Sequence, residues 1–133
     1  MRTPAQSEGD AAESIVATRL VAGGWRILAR NARVGRQELD LVAVDPGPPA
    51  HLVIVEVRWR RSRRFGLAEE TIDHRKRAHL RSAIGRLLAD GSIGGMSLPS
   101  LPIRVDVVVV EPSDVVSARV GSTRIRHHRA IAL

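Results

Sequence analysis

Residues 39–57 read LDLVAVDPGPPAHLVIVEV, and this stretch constrains the fold more than any other in the chain. Two apolar runs flank a segment with three prolines and a glycine, which cannot continue a hydrogen-bonded ladder. The pattern predicts strands over Glu38–Val44 and Leu52–Arg58, joined as an antiparallel hairpin with a loop longer than the tight two-residue type. Each strand carries an acid, Asp40 in the first and Glu56 in the second. Alternation places Glu38, Asp40, Val42 and Val44 on one face, with Leu39, Leu41 and Ala43 on the other; Leu52, Ile54, Glu56 and Arg58 share a face of the second strand. If the strands pair, the two carboxylates converge near one end of the sheet.

The remaining elements follow from periodicity and punctuation. Residues 7–22 read as a helix, with Ser7 and Asp10 approximating a capping box and Gly23-Gly24 as the stop. Glu13 projects from the apolar face formed by Val16 and Leu20, an inward acid that needs a reason. Trp25–Asn31 reads as a strand. Residues 69–90 read as a second helix on which Ile72, Leu80, Ala83, Ile84, Leu87 and Leu88 keep helical spacing. Residues 91–102 read as a mobile Gly/Ser/Pro loop, Ile103–Val110 as the strongest strand, and the remainder leaves room for one more edge strand. The order αβββαβ(β) implies an α/β fold, a central mixed sheet flanked by helices. With 133 residues the chain suits a single domain with one core, and residues 1–6 read as a flexible lead-in.

Charge narrows the class of partner. Lysine and arginine number 21 against 14 acids, a formal charge of +7, and Lys76 is the single lysine. A small, strongly basic domain is expected to meet a polyanion, above all nucleic acid. The absence of cysteine removes disulfides and thiolate metal sites. No apolar run approaches the ~20 residues of a membrane span, and the polar start MRTPAQSEGD is unlike a signal peptide. The expectation is a cytoplasmic protein with no membrane partner. Aromatic residues are confined to Trp25, Trp59 and Phe65, which speaks against base stacking as the main mode of binding.

Gathering Glu13, Asp40 and Glu56 is costly, because two unit charges ~4 Å apart repel by about 4 kcal/mol at an effective dielectric of about 20. Protonation, an arginine or a divalent cation must offset that. Oxygen ligands without Cys or His favour Mg²⁺ or Mn²⁺. Internal neutralisation is the competing account: Arg58 with Glu56, and Arg33 or Arg36 with Asp40. Arg58, Arg60, Arg61, Arg63 and Arg64 follow the third strand, with Trp59 among them, and Arg75, Arg77 and Arg81 extend the charge along the second helix. These suit contacts to a phosphate backbone, or else form an ordinary solvated face. Arg124, Arg126, His127, His128 and Arg129 are a second basic segment; neighbouring histidines on a strand face opposite ways and do not make a metal pair.

These residues also carry a resemblance. The runs from Glu13 through Leu20 to Gly24-Trp25-Arg-Ile-Leu-Ala-Arg-Asn31, then Gln37-Glu38-Leu39-Asp40-Leu41-Val42, then Val55-Glu56-Val57-Arg58-x-Arg60, are followed by Phe65-Gly66, by Ile72, Lys76 and Leu80, and by Arg104-Val105-Asp106-Val107-Val108. In that order, from about residue 9 to at least 127, they resemble the YraN family, small bacterial proteins with a restriction-endonuclease-like fold related in layout to archaeal Holliday junction resolvases. The resemblance implies that fold, Asp40 and Glu56 as metal ligands, Glu13 as the helix acid that completes the site, and the Val57 carbonyl as a further ligand. It also implies Mg²⁺ or Mn²⁺ as cofactor, DNA as partner, and a homodimer by analogy.

Two positions depart from the family pattern. Arg58 stands where the pattern has a lysine; a guanidinium stays protonated and cannot act as a general base, though it can stabilise charge on a phosphate. Gln37 stands where the pattern has glycine. Lys76, on the inward stripe of the second helix, is the candidate substitute for the missing lysine, or simply a snorkelling side chain. Three functions stay open. One is a metal-dependent endodeoxyribonuclease for branched or structured DNA, with Glu13, Asp40, Glu56, Arg58 and Lys76 in its site and Arg58, Arg60, Arg61, Arg63, Arg64 and Arg75 on DNA. The others are a non-catalytic nucleic-acid-binding module with a degenerate site, and a protein-interaction module with a basic face.

Overall fold

The proline-rich turn divides two strands, β2 (Gln37–Asp45) and β3 (His51–Trp59), which pair antiparallel from Asp45–His51 to Leu41–Val55. The computed structural model describes residues 3–60, 72–112 and 123–133; Arg61, Arg63, Arg64 and the Phe65-Gly66 pair lie outside the described residues. β1 (Arg26–Val34) lies on the outer side of β2, with a one-residue register slip between Ile27 and Ala29. On the other side of β3 runs β6 (Ile103–Pro112), parallel to it from Leu52–Ile103 to Trp59–Val110. A parallel neighbour requires a long crossover, and the crossover contains α2 (His74–Asp90). The expected edge strand is β7 (Thr123–His128), antiparallel to β6. The five-stranded mixed sheet has the order β1-β2-β3-β6-β7.

Among the described residues one helix covers each face. α1 (Pro4–Ala22) starts earlier than Ser7: Thr3 is the N-cap, its hydroxyl accepts from Gln6 N–H, the Gln6 side chain accepts from Thr3 N–H, and Pro4 fits the first turn. Residues 4–6 therefore belong to the helix. Ala12, Val16, Ala17 and Leu20 pack with Leu41, Ala43, Val53, Val55, Val108 and Val110. On the opposite face Leu80, Ala83 and Leu87 of α2 pack with Leu39, Val42, Leu52, Ile54 and Val105. Leu39 thus sits with Val42 and not with Leu41, so strict alternation in β2 fails at Asp40, where the strand leaves its ladder with β3. α2 begins at Asp73, whose side chain accepts from Lys76 N–H at 2.8 Å. Ile72 precedes the helix and is buried against Val107 and Val109.

The segment expected as a loop holds a small hairpin, β4 (Ser92–Ile93) with β5 (Met96–Ser97), turning through Gly94 and Gly95 at positive φ. Ile93 is buried and anchors it. Among the described residues no helix is long and apolar enough to cross a membrane.

At the end of the sheet where β2 stops, Arg104 bridges two carboxylates, donating to Asp106 at 2.9 Å and to Asp45 at 2.8 Å. Its guanidinium lies 5.6 Å from the centre of the Trp25 ring. His127 Nε2 sits 2.8 Å from Asp106, and Ala130 N–H donates to the same carboxylate. Arg126 pairs with Glu111 and Arg129 approaches Asp45. The tail expected as a second basic patch is therefore largely engaged with internal acids. Burial pushes the Asp106 pKa up, but hydrogen bonds from His127, Arg104 and Ala130 outweigh it and hold the group at about 2.

Removing Asp106 leaves Arg104 without its main partner, so Asp106→Ala is expected to lose about 3–5 kcal/mol in urea unfolding. Because the folded pKa lies below the ordinary 3.8, the wild type keeps this contribution above about pH 4 and loses about 2 kcal/mol of it as pH falls to about 2. An Asp106→Ala loss under about 1 kcal/mol would contradict this account.

Candidate functional site

The β2–β3 ladder ends at the Leu41–Val55 pair, so the next rung would set Asp40 opposite Glu56. No backbone rung forms there. Instead the Val57 N–H donates to Asp40 Oδ2 at 2.9 Å. A residue's N–H and C=O point to the same edge of a strand, so the Val57 carbonyl faces the same opening. On the other side of β2, Arg30 pairs with Leu41 and Ala32 with Leu39, which puts Asn31 across from Asp40. The register thus sets Asp40 and Glu56, the two acids expected to converge, across from each other at this end of the hairpin, with Val57 joined to Asp40 by its N–H.

Charges reach this point from both faces. Lys76, in the first turn of α2, lies 3.0 Å from Glu56 Oε1; Arg58 lies 3.6 Å from the same oxygen. The other oxygen of Glu56 is buried and has no hydrogen-bond partner among the described residues. From α1 comes Glu13, 9% exposed, with one carboxylate oxygen likewise buried and unpartnered. Burial raises the Glu13 pKa against a hydrogen bond from Asn31, with Asp10 adding to the rise. Asn31 holds φ at 49°, a left-handed value that asparagine tolerates better than most residues. Its position at the head of the site went unassigned in the sequence, where Asn31 closed both the predicted strand and the first run of the family resemblance. Arg30 beside it donates to Ser14 at 2.8 Å, tying β1 to α1.

Asp40 records the combined field. Burial raises its pKa, Glu56 raises it further, the Val57 hydrogen bond lowers it, Glu13 raises it and Lys76 lowers it; the group is pushed up to about 7. Glu13 faces an adjoining cleft of about 680 Å³ lined also by Gln6, Asp10, Arg30, Asn31 and Glu38. Among the described residues no three His, Asp or Glu side chains form a ready metal cluster. The three-acid gathering expected from sequence is thus a facing pair, Asp40 and Glu56, with Glu13 within electrostatic reach.

The pair fits a hard divalent cation. Its donors are carboxylate oxygens and one backbone carbonyl, and an oxygen of buried Glu56 lacks any other partner among the described residues. Mg²⁺ is commonly held by one or two carboxylates, with waters and substrate oxygens completing its shell. Arg58 and Arg60 continue β3 toward solvent as the nearest phosphate-binding candidates, and Arg75 is exposed on α2. Arg61, Arg63 and Arg64 lie outside the described residues.

A profile of the uncharacterised protein family UPF0102 matches residues 12–110, a span that contains Glu13, Asp40, Glu56 and Lys76. A UPF0102 protein of Symbiobacterium thermophilum is 40% identical over 104 residues, covering 78% of this chain and 81% of its own. One from Roseiflexus castenholzii is 42% identical over 103 residues, 77% of each chain. One from Chlorobaculum parvum is 33% identical over 122 residues, 92% of this chain and 88% of its own.

The electrostatics predict a pH signature. Asp40 titrates higher folded than its ordinary 3.8, so the native state binds the extra proton and loses stability as pH rises from about 4 through 7. Asp40→Asn keeps an acceptor for Val57 N–H and removes the charge. In chelator-treated buffer it should gain roughly 2–4 kcal/mol over wild type at about pH 8 and little at about pH 4. Equal stability of the two proteins at both pH values in urea unfolding would contradict the assigned field.

Proposed function

The chain belongs to the UPF0102 family, the YraN family of the sequence resemblance, and from that premise we propose that it is a metal-dependent nuclease-like protein that binds DNA and hydrolyses phosphodiesters in branched or structured DNA. The observation that carries the reading is the facing carboxylate pair at the point where β2 leaves β3, with Asp40 held by Val57 N–H and a buried oxygen of Glu56 left without a partner among the described residues. Asp40, Glu56 and the Val57 carbonyl would hold Mg²⁺ or Mn²⁺, and Glu13 adds negative potential behind them. When bound, the cation supplies Lewis-acid polarisation of the phosphodiester and activation of the attacking water. Arg58 meets the charge that develops on the phosphate. Arg60 and Arg75, with the undescribed arginines 61, 63 and 64, hold the DNA backbone without reading sequence.

A second reading, a nucleic-acid-binding module that does not cut, is favoured by Lys76. Its ammonium neutralises Glu56 within the fold, and Arg58 takes the place where a lysine would serve chemistry.

Plasmid and four-way-junction DNA incubated with Mn²⁺ separate the two. Wild type should cut, and Asp40→Ala and Glu56→Ala should cut at least about a hundredfold more slowly. All three should keep DNA binding that weakens steeply with salt. Binding without cutting by wild type supports the second reading. Equal cutting by all three assigns the activity to a contaminant, and absence of salt-sensitive binding leaves a protein-interaction module.

A further inference from the structure

Glu56 is 4% exposed and sits beside Asp40, yet among the described residues its closest counter-charge comes from neither its own strand nor the sheet. It comes from α2, on the chain's single lysine. Asp73 caps the helix through the Lys76 N–H, which fixes the turn from which the ammonium reaches Glu56 Oε1 at 3.0 Å. Arg58, on the same strand, stands farther off at 3.6 Å, and its Nε is buried without a partner among the described residues. The lysine side chain remains 32% exposed, so it has room to swing away.

We propose that Lys76 is a built-in counter-ion of the site: in the ion-free protein its ammonium occupies the position on Glu56 that a divalent cation takes, and cation entry displaces it toward the phosphate-binding side. This rests on the metal-site reading above and adds a regulatory step to it. A buried carboxylate cannot stand unpaired at low cost, so the lysine keeps the empty site folded. It also sets a threshold, because the cation must outcompete an ion pair already in place. The displaced ammonium then lies at the mouth of the site, where Arg58 alone leaves no group able to give up a proton.

Calorimetric Mn²⁺ titration of the whole chain, without DNA, tests this. Lys76→Met should bind Mn²⁺ roughly three- to tenfold more tightly than wild type, and Lys76→Arg should stay near wild type. Arg75→Met, which removes the same charge from the same turn without touching Glu56, should gain less than Lys76→Met. The single lysine gives a second readout. Amine-selective acylation at Lys76, located by peptide mapping, should speed up when Mn²⁺ is added to wild type and not to Glu56→Gln. Wild-type binding with equal or weaker binding by Lys76→Met would overturn the counter-ion role and leave the metal site standing. No Mn²⁺ binding at millimolar levels by either protein would overturn both. Binding by Lys76→Met alone would support the proposal in its strongest form.

Discussion

The hydrogen bond from Val57 N–H to Asp40 is the contact on which the candidate site depends. A backbone rung at that place would keep β2 and β3 together and close the end of the hairpin. A side chain takes the donor instead, so the strands separate a residue earlier than their apolar sequences require. The separation faces Asp40 toward Glu56, turns the Val57 carbonyl into the same opening and gives Asn31 a place to hold Glu13. Buried N–H groups must be paired, and here the requirement is met by a carboxylate whose remaining valence faces the site. One hydrogen bond thus joins strand pairing to the placing of charge.

The two ends of the sheet make an internal comparison. Asp106, which is buried, and Asp40, which is half-buried, each lie beside a second carboxylate, and their pKa values move in opposite directions. Asp106 has Arg104, His127 and a backbone N–H to outweigh its burial, and falls to about 2; at Asp40 burial, Glu56 and Glu13 outweigh the Val57 N–H and Lys76, and it rises to about 7. About five strand residues, ~16 Å, separate Asp45 of the first cluster from Asp40. The first cluster is satisfied and ties Trp25, β6 and the C-terminal segment together. The second is left short of positive charge, the imbalance that the proposed cation would offset. Lys76 reduces the deficit without closing it.

Much of this was legible in the sequence, and particular residues explain where it was not. The hairpin, the order of strands and the meeting of Asp40 with Glu56 followed from period-two patterning around a proline-rich turn. The face of Leu39 did not, because alternation holds only while a strand stays in its ladder. The start of α1 was missed because Ser7 and Asp10 imitate a cap, while the true cap, Thr3 with Gln6, sits in a polar stretch with no apolar period to mark it. Ile72 kept helical spacing by coincidence and lies before the Asp73 cap. The Arg104–Asp106–His127 network joins residues far apart in sequence, and no local pattern announces such a contact. Arg124 to Arg129 looked like a nucleic-acid surface for the same reason: composition reports charge but not the partner that absorbs it.

Carboxyl-carbon NMR of selectively labelled aspartate reads the central claim directly. In metal-free protein the Asp40 resonance should titrate near neutral pH, and saturating Mg²⁺ should carry its midpoint down into or below the ordinary carboxylate range. A midpoint in the ordinary aspartate range that Mg²⁺ does not move would mean that the fold neutralises these acids by itself, and the account of a cation site would fail.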